Sequence, residues 1–254
     1  MSTEPTKNPR LFSSKTKEEL LEDGKKLYNL RCYDEALEAY EQALHLDPSS
    51  ATIWYNKGNI LDDLMRYDEA LEAYEQALRL DPHLARVWNN KGITLGNLMR
   101  YNEALEAYEQ ALCLDPNCAV TWNNKGNALY RLRRYNEALE AYEQVIYLGP
   151  SDALVWCSKG VTLGNLRRHN EALEAYEQAL RLDPHLALAW NNKGTTLDDL
   201  MRHQEALEAF EQALRLDYSY ALAWYNKGAA FEKLGRPREA QHCYEKARQL
   251  GYRV

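Results

Sequence analysis

The sequence predicts an all-α protein, a solenoid of stacked antiparallel helix pairs, because three residue types recur with a period of 34 residues. Tryptophan occurs at Trp54, Trp88, Trp122, Trp156, Trp190 and Trp224. Glycine occurs at Gly24, Gly58, Gly92, Gly126, Gly160, Gly194 and Gly228. Alanine occurs at Ala36, Ala70, Ala104, Ala138, Ala172, Ala206 and Ala240. Seven similar units indicate a repeat array, in which each unit packs on the next along a continuous core.

Each repeat is expected to contain two amphipathic helices, as residues 51–84 illustrate. The first helix has an apolar face at Trp54, Gly58, Leu61 and Leu64. The predicted core residues of the second helix are Ala70, Leu71, Tyr74, Ala77, Leu78 and Leu80. The small residues Gly58 and Ala70 are expected to let the two helices approach closely. Pro82 predicts the end of the second helix, because proline disfavours helical geometry in the residue before it.

Both ends of the array depart from the repeat pattern. Thr16 and Glu19 have the spacing of a capping box at the start of the first helix. Near the C-terminus, Gln241 and Arg248 stand where the second repeat has Leu71 and Leu78, which predicts a polar terminal helix. Residues 1–16, which are rich in Ser, Thr, Pro and Lys, are expected to form a flexible tail.

The 34-residue period, with tryptophan, glycine and alanine at fixed offsets, resembles the tetratricopeptide repeat. The resemblance covers a single predicted solenoid of seven repeats, at 17–50, 51–84, 85–118, 119–152, 153–186, 187–220 and 221–254. It implies a right-handed superhelix in which the first helices of the repeats line a concave groove. In this family the groove holds segments of partner proteins, so the resemblance also implies a protein or peptide partner.

Composition narrows the classes of partner and compartment. The net charge is −7, which disfavours non-specific binding to nucleic acid. The five cysteines occupy unrelated repeat positions, which argues against a disulfide framework and favours a cytoplasmic protein. We predict no membrane span, because no apolar run approaches the roughly 20 residues that a spanning helix needs.

No catalytic, metal or cofactor motif is present in the sequence. The six histidines do not form a pattern of two on one helix face, and Cys113 and Cys118 lack a second pair for a zinc site. The periodic glycines are explained by packing, and no phosphate-binding loop is present. We therefore predict a protein that is not an enzyme and has no cofactor.

Asparagine forms the most informative ladder, two residues after most of the tryptophans, on the polar face of the first helix. The amide offers both an acceptor and donors, so a regular array of amides suits the backbone of an extended peptide. The alternative is that these residues are recent copies, or bond to neighbouring helices within the array. The predicted peptide-binding residues are Asn56, Asn59, Asn89, Asn90, Asn123, Asn124, Asn127, Tyr130, Arg131, Asn191, Asn192 and Asn226.

Two basic ladders have structural interpretations. Lysine follows each tryptophan by three residues, as Lys91 follows Trp88, and is expected to snorkel to a glutamate of the second helix. Arginine recurs between the two helices, as at Arg66, and is expected to stabilise carbonyl groups at the end of the first helix.

Groove positions that vary between repeats are candidates for selectivity, although chance variation among duplicated units explains them equally well. The second and sixth repeats have acidic pairs at Asp62–Asp63 and Asp198–Asp199, and the fourth has Tyr130–Arg131. The third and fifth have Gly96–Asn97 and Gly164–Asn165, whose glycines are expected to leave space for ligand side chains. Arg131 is suited to anchor a ligand carboxylate, and Tyr130 to stack on an aromatic ring or proline.

The sequence thus predicts a non-catalytic scaffold or adaptor that binds an extended peptide segment through the asparagine ladder. Two alternatives stay open. One is a self-assembling solenoid, joined head to tail or through cations held by the acidic pairs, which the polar C-terminal helix opposes in favour of a monomer. The other, weaker one is an RNA-binding array that uses the arginine ladder.

Overall fold

The computed structural model describes residues 15–149 and 152–253. Within these ranges the chain forms fourteen helices and no strands. The helices are α1 (Lys17–Asn29), α2 (Tyr33–Leu46), α3 (Ala51–Asp63), α4 (Tyr67–Leu80), α5 (Ala85–Asn97), α6 (Tyr101–Leu114), α7 (Ala119–Arg131), α8 (Tyr135–Leu148), α9 (Ala153–Asn165), α10 (His169–Leu182), α11 (Ala187–Asp199), α12 (His203–Leu216), α13 (Ala221–Lys233) and α14 (Pro237–Gln249).

The helices belong to two compact units, one extending through Thr121 and one beginning at Trp122. In the first unit α1 packs on α2, α3 on α4 and α5 on α6, while α2 also contacts α3 and α4 contacts α5. In the second unit α9 packs on α10, α11 on α12 and α13 on α14 in the same manner. The predicted all-α class and the paired-helix solenoid are therefore confirmed. The residues of the predicted tail before Lys15 lie outside the described part of the chain.

The terminal helices have the polar character that the sequence predicts. Thr16 and Glu19 form the expected capping box at the start of α1. Lys15 forms an ion pair with Asp23, so residues 15 and 16 contact α1, although the prediction assigned them to the tail. On α14, Gln241 and Arg248 are exposed at positions where earlier repeats bury leucine.

A glycine of the first helix contacts an aromatic ring of the second helix in each repeat. A Cβ atom added to Gly160 would lie 2.6 Å from Cε1 of Tyr176, whose side chain is 2% exposed. The contact recurs with Tyr40, Tyr74, Tyr108, Tyr142, Phe210 and Tyr244. The periodic glycine thus lets the aromatic ring lie against the backbone of the first helix.

Tryptophan and lysine together connect adjacent repeats. The indole Nε1 of Trp88 donates to the carbonyl oxygen of Pro82 (3.1 Å), and Lys91 Nζ lies 5.5 Å from the centre of the same indole. Lys91 also pairs with Glu75 of the preceding repeat at 2.9 Å. Equivalent ion pairs are formed by Lys57, Lys159, Lys193 and Lys227. The predicted snorkelling of the lysine ladder is confirmed at these positions.

The arginine ladder has a different partner from the one predicted. Arg66 pairs through Nε and Nη2 with the two carboxylate oxygens of Glu69, at 2.7 and 2.6 Å. The carbonyl groups at the end of α3 are instead bonded by backbone amides, from Met65 to Asp62 and from Arg66 to Leu61, both at 2.8 Å. The prediction that arginine serves these carbonyls is wrong, because the turn already satisfies them. Leu80, predicted to be buried, is 43% exposed at the end of α4.

Two aspartates at equivalent repeat positions have opposite surroundings. Asp62 accepts a hydrogen bond from the hydroxyl of Thr94, and burial raises the pKa of its carboxyl group. Asp198 lies 2.6 Å from His203 Nδ1 and 2.6 Å from Lys233 Nζ. The carboxylate of Asp62 is therefore desolvated without a basic partner, whereas that of Asp198 is bonded by two basic side chains.

Alanine at Gly160 is expected to lower the free energy of unfolding by about 1–3 kcal/mol, because the new Cβ overlaps a buried ring. Alanine at Gly164, in the same helix, should raise it by about 0.5–1 kcal/mol, because nothing lies within 4 Å of the added atom. Chemical unfolding followed by helical circular dichroism measures both variants. Shifts of the same sign would show that the glycine–tyrosine contact does not set the requirement for glycine.

Asp62→Asn is expected to stabilise the protein at neutral pH, because it removes a desolvated charge and keeps the oxygen that Thr94 bonds. The raised pKa means that folding favours the protonated acid. The free energy of unfolding of wild type should therefore rise as the pH falls through the pKa that Asp62 has in the folded state. The rise is complete below 3.8, the ordinary pKa of an aspartate side chain. The difference in stability between the variant and wild type should therefore shrink towards acid pH.

Asp198→Asn provides the matched comparison and is expected to destabilise the protein by about 1–2 kcal/mol at neutral pH, because it removes two charge-assisted contacts. Thermal unfolding of both variants across a pH series measures the effects. Destabilisation by Asp62→Asn at neutral pH would contradict the assigned difference between the two sites.

Candidate functional site

In the first unit, the asparagines of successive first helices bond to one another. Asn90 Nδ2 donates to Asn59 Oδ1 at 2.9 Å and to the hydroxyl oxygen of Tyr55 at 3.2 Å. Asn59 Oδ1 also accepts from the hydroxyl of Tyr74 at 3.0 Å, and Asn89 Nδ2 donates to Asn90 Oδ1 at 3.2 Å. These amides therefore serve the contact between repeats, which is the alternative interpretation of the ladder.

The second unit contains similar contacts. Asn226 Nδ2 donates to Asn191 Oδ1 at 3.0 Å, and Asn191 Nδ2 donates to Asn192 Oδ1 at 3.3 Å. Asn191 is 1% exposed, so the structure buries a side chain that the sequence assigns to ligand binding. Packing of the adjacent first helices explains this placement, because the Asn191 amide bridges α11 and α13. Asn127 Oδ1 accepts from the Tyr142 hydroxyl at 2.8 Å.

Three predicted residues have other surroundings. Asn56 and Asn123 are half-buried and form no hydrogen bond with the described residues. Asn124 is also half-buried, but it already interacts with another group of the chain. Asn56 and Asn123 therefore have amide groups available to a ligand.

A cavity of about 600 Å³ lies in the second unit, on the side of the first helices. It brings together five of the residues predicted from the sequence, namely Asn123, Asn127, Tyr130, Arg131 and Asn192. The predicted residues Asn56, Asn59, Asn89 and Asn90 lie in the first unit, and Asn191 and Asn226 do not line the cavity. The structure thus concentrates part of the predicted ladder at the fourth to sixth repeats.

The cavity combines polar groups with an apolar wall. The wall contains Leu154, Val155, Val161 and Leu188. Arg131 is exposed and forms no ion pair within the described ranges, so its guanidinium group has unused donors. Burial raises the pKa of Tyr142, so its hydroxyl stays protonated and donates to Asn127.

Tyr130 is held in place by neighbours on two sides. Its hydroxyl oxygen accepts from Asn165 Nδ2 at 3.2 Å, and its ring centre lies 5.5 Å from that of Tyr135. These contacts restrict the ring, so its position at the cavity is set before a ligand arrives.

The apolar wall was missed by sequence reasoning, because these residues appear as ordinary helix surface. One signal was present: in α9 the asparagine ladder is broken by Ser158, next to Cys157. Both residues line the cavity, where they are smaller than the amides and tyrosines at equivalent positions. Cys157 is 2% exposed, and burial raises the pKa of its thiol, so it acts as a packing residue.

Three of the four aspartates in the acidic pairs already have partners within the chain. Asp63 accepts from the hydroxyl of Tyr28 at 2.6 Å, while Asp62 and Asp198 have the partners described above. No group of three His, Cys, Asp or Glu side chains in the described parts of the chain is arranged to hold a metal ion. Among the same residues, no helix has the length and apolar character needed to cross a membrane.

Comparison with solved structures gives the same fold. YrrB, described as a tetratricopeptide-repeat protein with an unusual peptide-binding site, is 24% identical, with a TM-score of 0.58 over 71% of this chain and 93% of that one. MamA from Desulfovibrio magneticus is 25% identical, with a TM-score of 0.64 over 67% and 96%. The C-terminal part of a repeat-containing protein from Cytophaga hutchinsonii is 15% identical, with a TM-score of 0.76 over 91% and 95%.

No curated protein sequence matches this chain. Sequence models of the tetratricopeptide repeat match residues 21–85, 85–118, 119–152, 153–186, 187–217 and 221–250. These matches are roughly consistent with the seven predicted repeats. The chain therefore belongs to the tetratricopeptide-repeat family, whose fold is generally a non-catalytic scaffold for protein–protein interaction.

Proposed function

We propose that this protein is a cytoplasmic adaptor that binds an extended segment of a partner protein along the first helices of its second unit. The cavity of about 600 Å³ carries the proposal, because it places an unpaired arginine and a free asparagine beside an apolar wall. Such a mixture of apolar surface and a few polar groups is typical of ligand sites. The free cysteines support a reducing compartment.

The cavity lining indicates the chemistry of the bound segment. Leu154, Val155 and Leu188 offer contact to an apolar side chain of the ligand. Arg131 is suited to a carboxylate, from an acidic side chain or a chain terminus, because guanidinium and carboxylate groups pair through two parallel hydrogen bonds. Asn123 can both donate to and accept from a peptide unit of the ligand.

The asparagine ladder has two proposed roles. Asn123, which lines the cavity of the second unit, faces the ligand with an unused amide. The bonded asparagines, such as Asn90 and Asn192, hold adjacent first helices in register and so preorganise the groove. A test of binding should therefore leave the bonded asparagines intact, because replacing them also alters the contact between repeats.

YrrB supports this use of the fold, since a peptide-binding site is described for that protein. The similarity extends to the fold alone, so the ligand of YrrB is not carried over. Self-assembly receives less support, because the exposed Gln241 and Arg248 leave α14 with a polar outer face.

Peptides selected from a displayed random library against the full chain provide the test. For a selected peptide, Arg131→Ala should weaken binding at least about tenfold, because a charge-assisted pair is lost. Asn123→Ala should weaken it by about fivefold, through the loss of a neutral hydrogen bond. Isothermal titration calorimetry measures the dissociation constants.

Arg181→Ala is the control variant, because Arg181 is an exposed arginine of α10 that has no ion pair in the described ranges. It should bind the selected peptide as wild type does, and all three variants should retain the melting curve of wild type. The proposal fails if no peptide is enriched, or if Arg131→Ala and Asn123→Ala bind as tightly as the control.

A further inference from the structure

A side-chain contact joins successive first helices at their C-terminal ends. It links the twelfth residue of one repeat to the thirteenth residue of the next. In the first unit the pair is Tyr28 with Asp63, at 2.6 Å. In the second unit the pairs are Tyr130 with Asn165 at 3.2 Å and Asp198 with Lys233 at 2.6 Å.

The corresponding pair between α9 and α11 is Gly164 with Asp199, so one partner has no side chain. Nothing lies within 4 Å of the position that a Cβ atom of Gly164 would take. Asp199 is exposed and has no hydrogen bond or ion pair with the described residues. Both residues line a cavity of about 230 Å³. An unpaired carboxylate therefore faces an open space that the chain itself fills at neighbouring junctions.

The same glycine leaves a second polar group without a partner. In the sixth repeat, His203 Nδ1 lies 2.6 Å from Asp198. The equivalent histidine in the fifth repeat is His169, and the residue equivalent to Asp198 is Gly164. His169 Nδ1 is buried and has no hydrogen-bond partner. Gly164 thus leaves the buried His169 Nδ1 without the partner that Asp198 gives to His203, which costs stability.

We propose that the open space at Gly164 receives a basic side chain of the bound segment, which pairs with Asp199. This inference rests on the proposed peptide-binding function. The ion pair of Lys233 with Asp198 shows the kind of contact expected. At Gly164 the cation would come from the ligand, whereas at Asp198 it comes from the chain itself. Arginine suits the site best, because Asn165 Oδ1, which also lines the cavity, can accept a second hydrogen bond from it.

The two cavities together set where acidic and basic groups of one bound segment would lie. The smaller cavity shares Val161 and Asn192 with the larger one, so a single segment can contact both. Arg131 attracts an acidic group in the larger cavity, and Asp199 attracts a basic group in the smaller one. Arg131 and Asp199 lie on first helices that are two repeats apart. With 8–10 Å between neighbouring helices, the distance is roughly 20 Å, which about six residues of extended peptide would span.

The test uses the full chain and a small probe, Nα-acetyl-arginine amide, so that it does not require a selected peptide. The side-chain amide signals of Asn165 and Asn192, which line the cavity, report binding by nuclear magnetic resonance. We expect a saturable shift with a millimolar dissociation constant. Nα-acetyl-citrulline amide, which has a similar shape but no charge, should bind about tenfold more weakly.

Three variants place the probe at the proposed site. Asp199→Asn should weaken binding of the arginine probe about tenfold, and Gly164→Lys should abolish it by supplying the cation from the chain. Glu208→Gln, which removes one exposed charge from α12, should bind as wild type does. If Gly164→Lys does not fold, Asp199→Asn decides, because Asp199 is exposed and has no partner to lose.

The inference is overturned if the arginine probe gives no saturable shift, or if Asp199→Asn and Glu208→Gln behave alike. The outcome is distinguishable from that of the proposed function. Selected peptides that bind Asp199→Asn as tightly as wild type would leave the adaptor function standing and overturn the basic site. Specific binding of the arginine probe without any selected peptide would support the site and overturn the adaptor function.

Discussion

The contact between a first-helix glycine and a second-helix aromatic ring is the constraint on which the rest of the structure depends. The ring lies against the backbone, as Tyr176 lies against Gly160, so the two helices of a repeat pack closely in a single arrangement. The same tyrosines carry hydroxyl groups towards the polar face. Tyr74 donates to Asn59, and Tyr142 donates to Asn127. One packing contact therefore fixes both the core of a repeat and part of its polar face.

The candidate site arises where the repeats depart from their own pattern. Cys157 and Ser158 stand where other repeats have larger polar or aromatic residues, and they line the larger cavity. Gly164 likewise removes a contact that Asp198 makes in the next repeat. Each substitution replaces a large or interacting side chain by a small one, so the face opens without altering the helices beneath it.

The sequence predicts the helices and their pairing well, because the 34-residue period states directly which residues face the core. It predicts the partners of polar residues less well. The sequence predicts that Arg66 bonds helix carbonyls, but backbone amides of the turn already bond these carbonyls, and the guanidinium group pairs with Glu69. The burial of Asn191 also escaped prediction, since periodicity assigns a residue to a helix face but not to its neighbour in the next repeat. A cavity depends on the sizes of several residues at once, and no single spacing encodes that.

In the proposed function, residues that repeat regularly and residues that depart from the repeat contribute differently to binding. An amide that already bonds within the chain, such as Asn90, gains little from a ligand, because a new hydrogen bond must replace an existing one. A group that lacks a partner, such as Arg131 or Asp199, exchanges only water for the ligand. Affinity and selectivity should consequently reside in the few irregular residues, while the repeating asparagines keep the helices that carry them at a fixed spacing. The duplicated repeats supply regular helices, and divergence at single positions opens the cavities on which the proposed site depends.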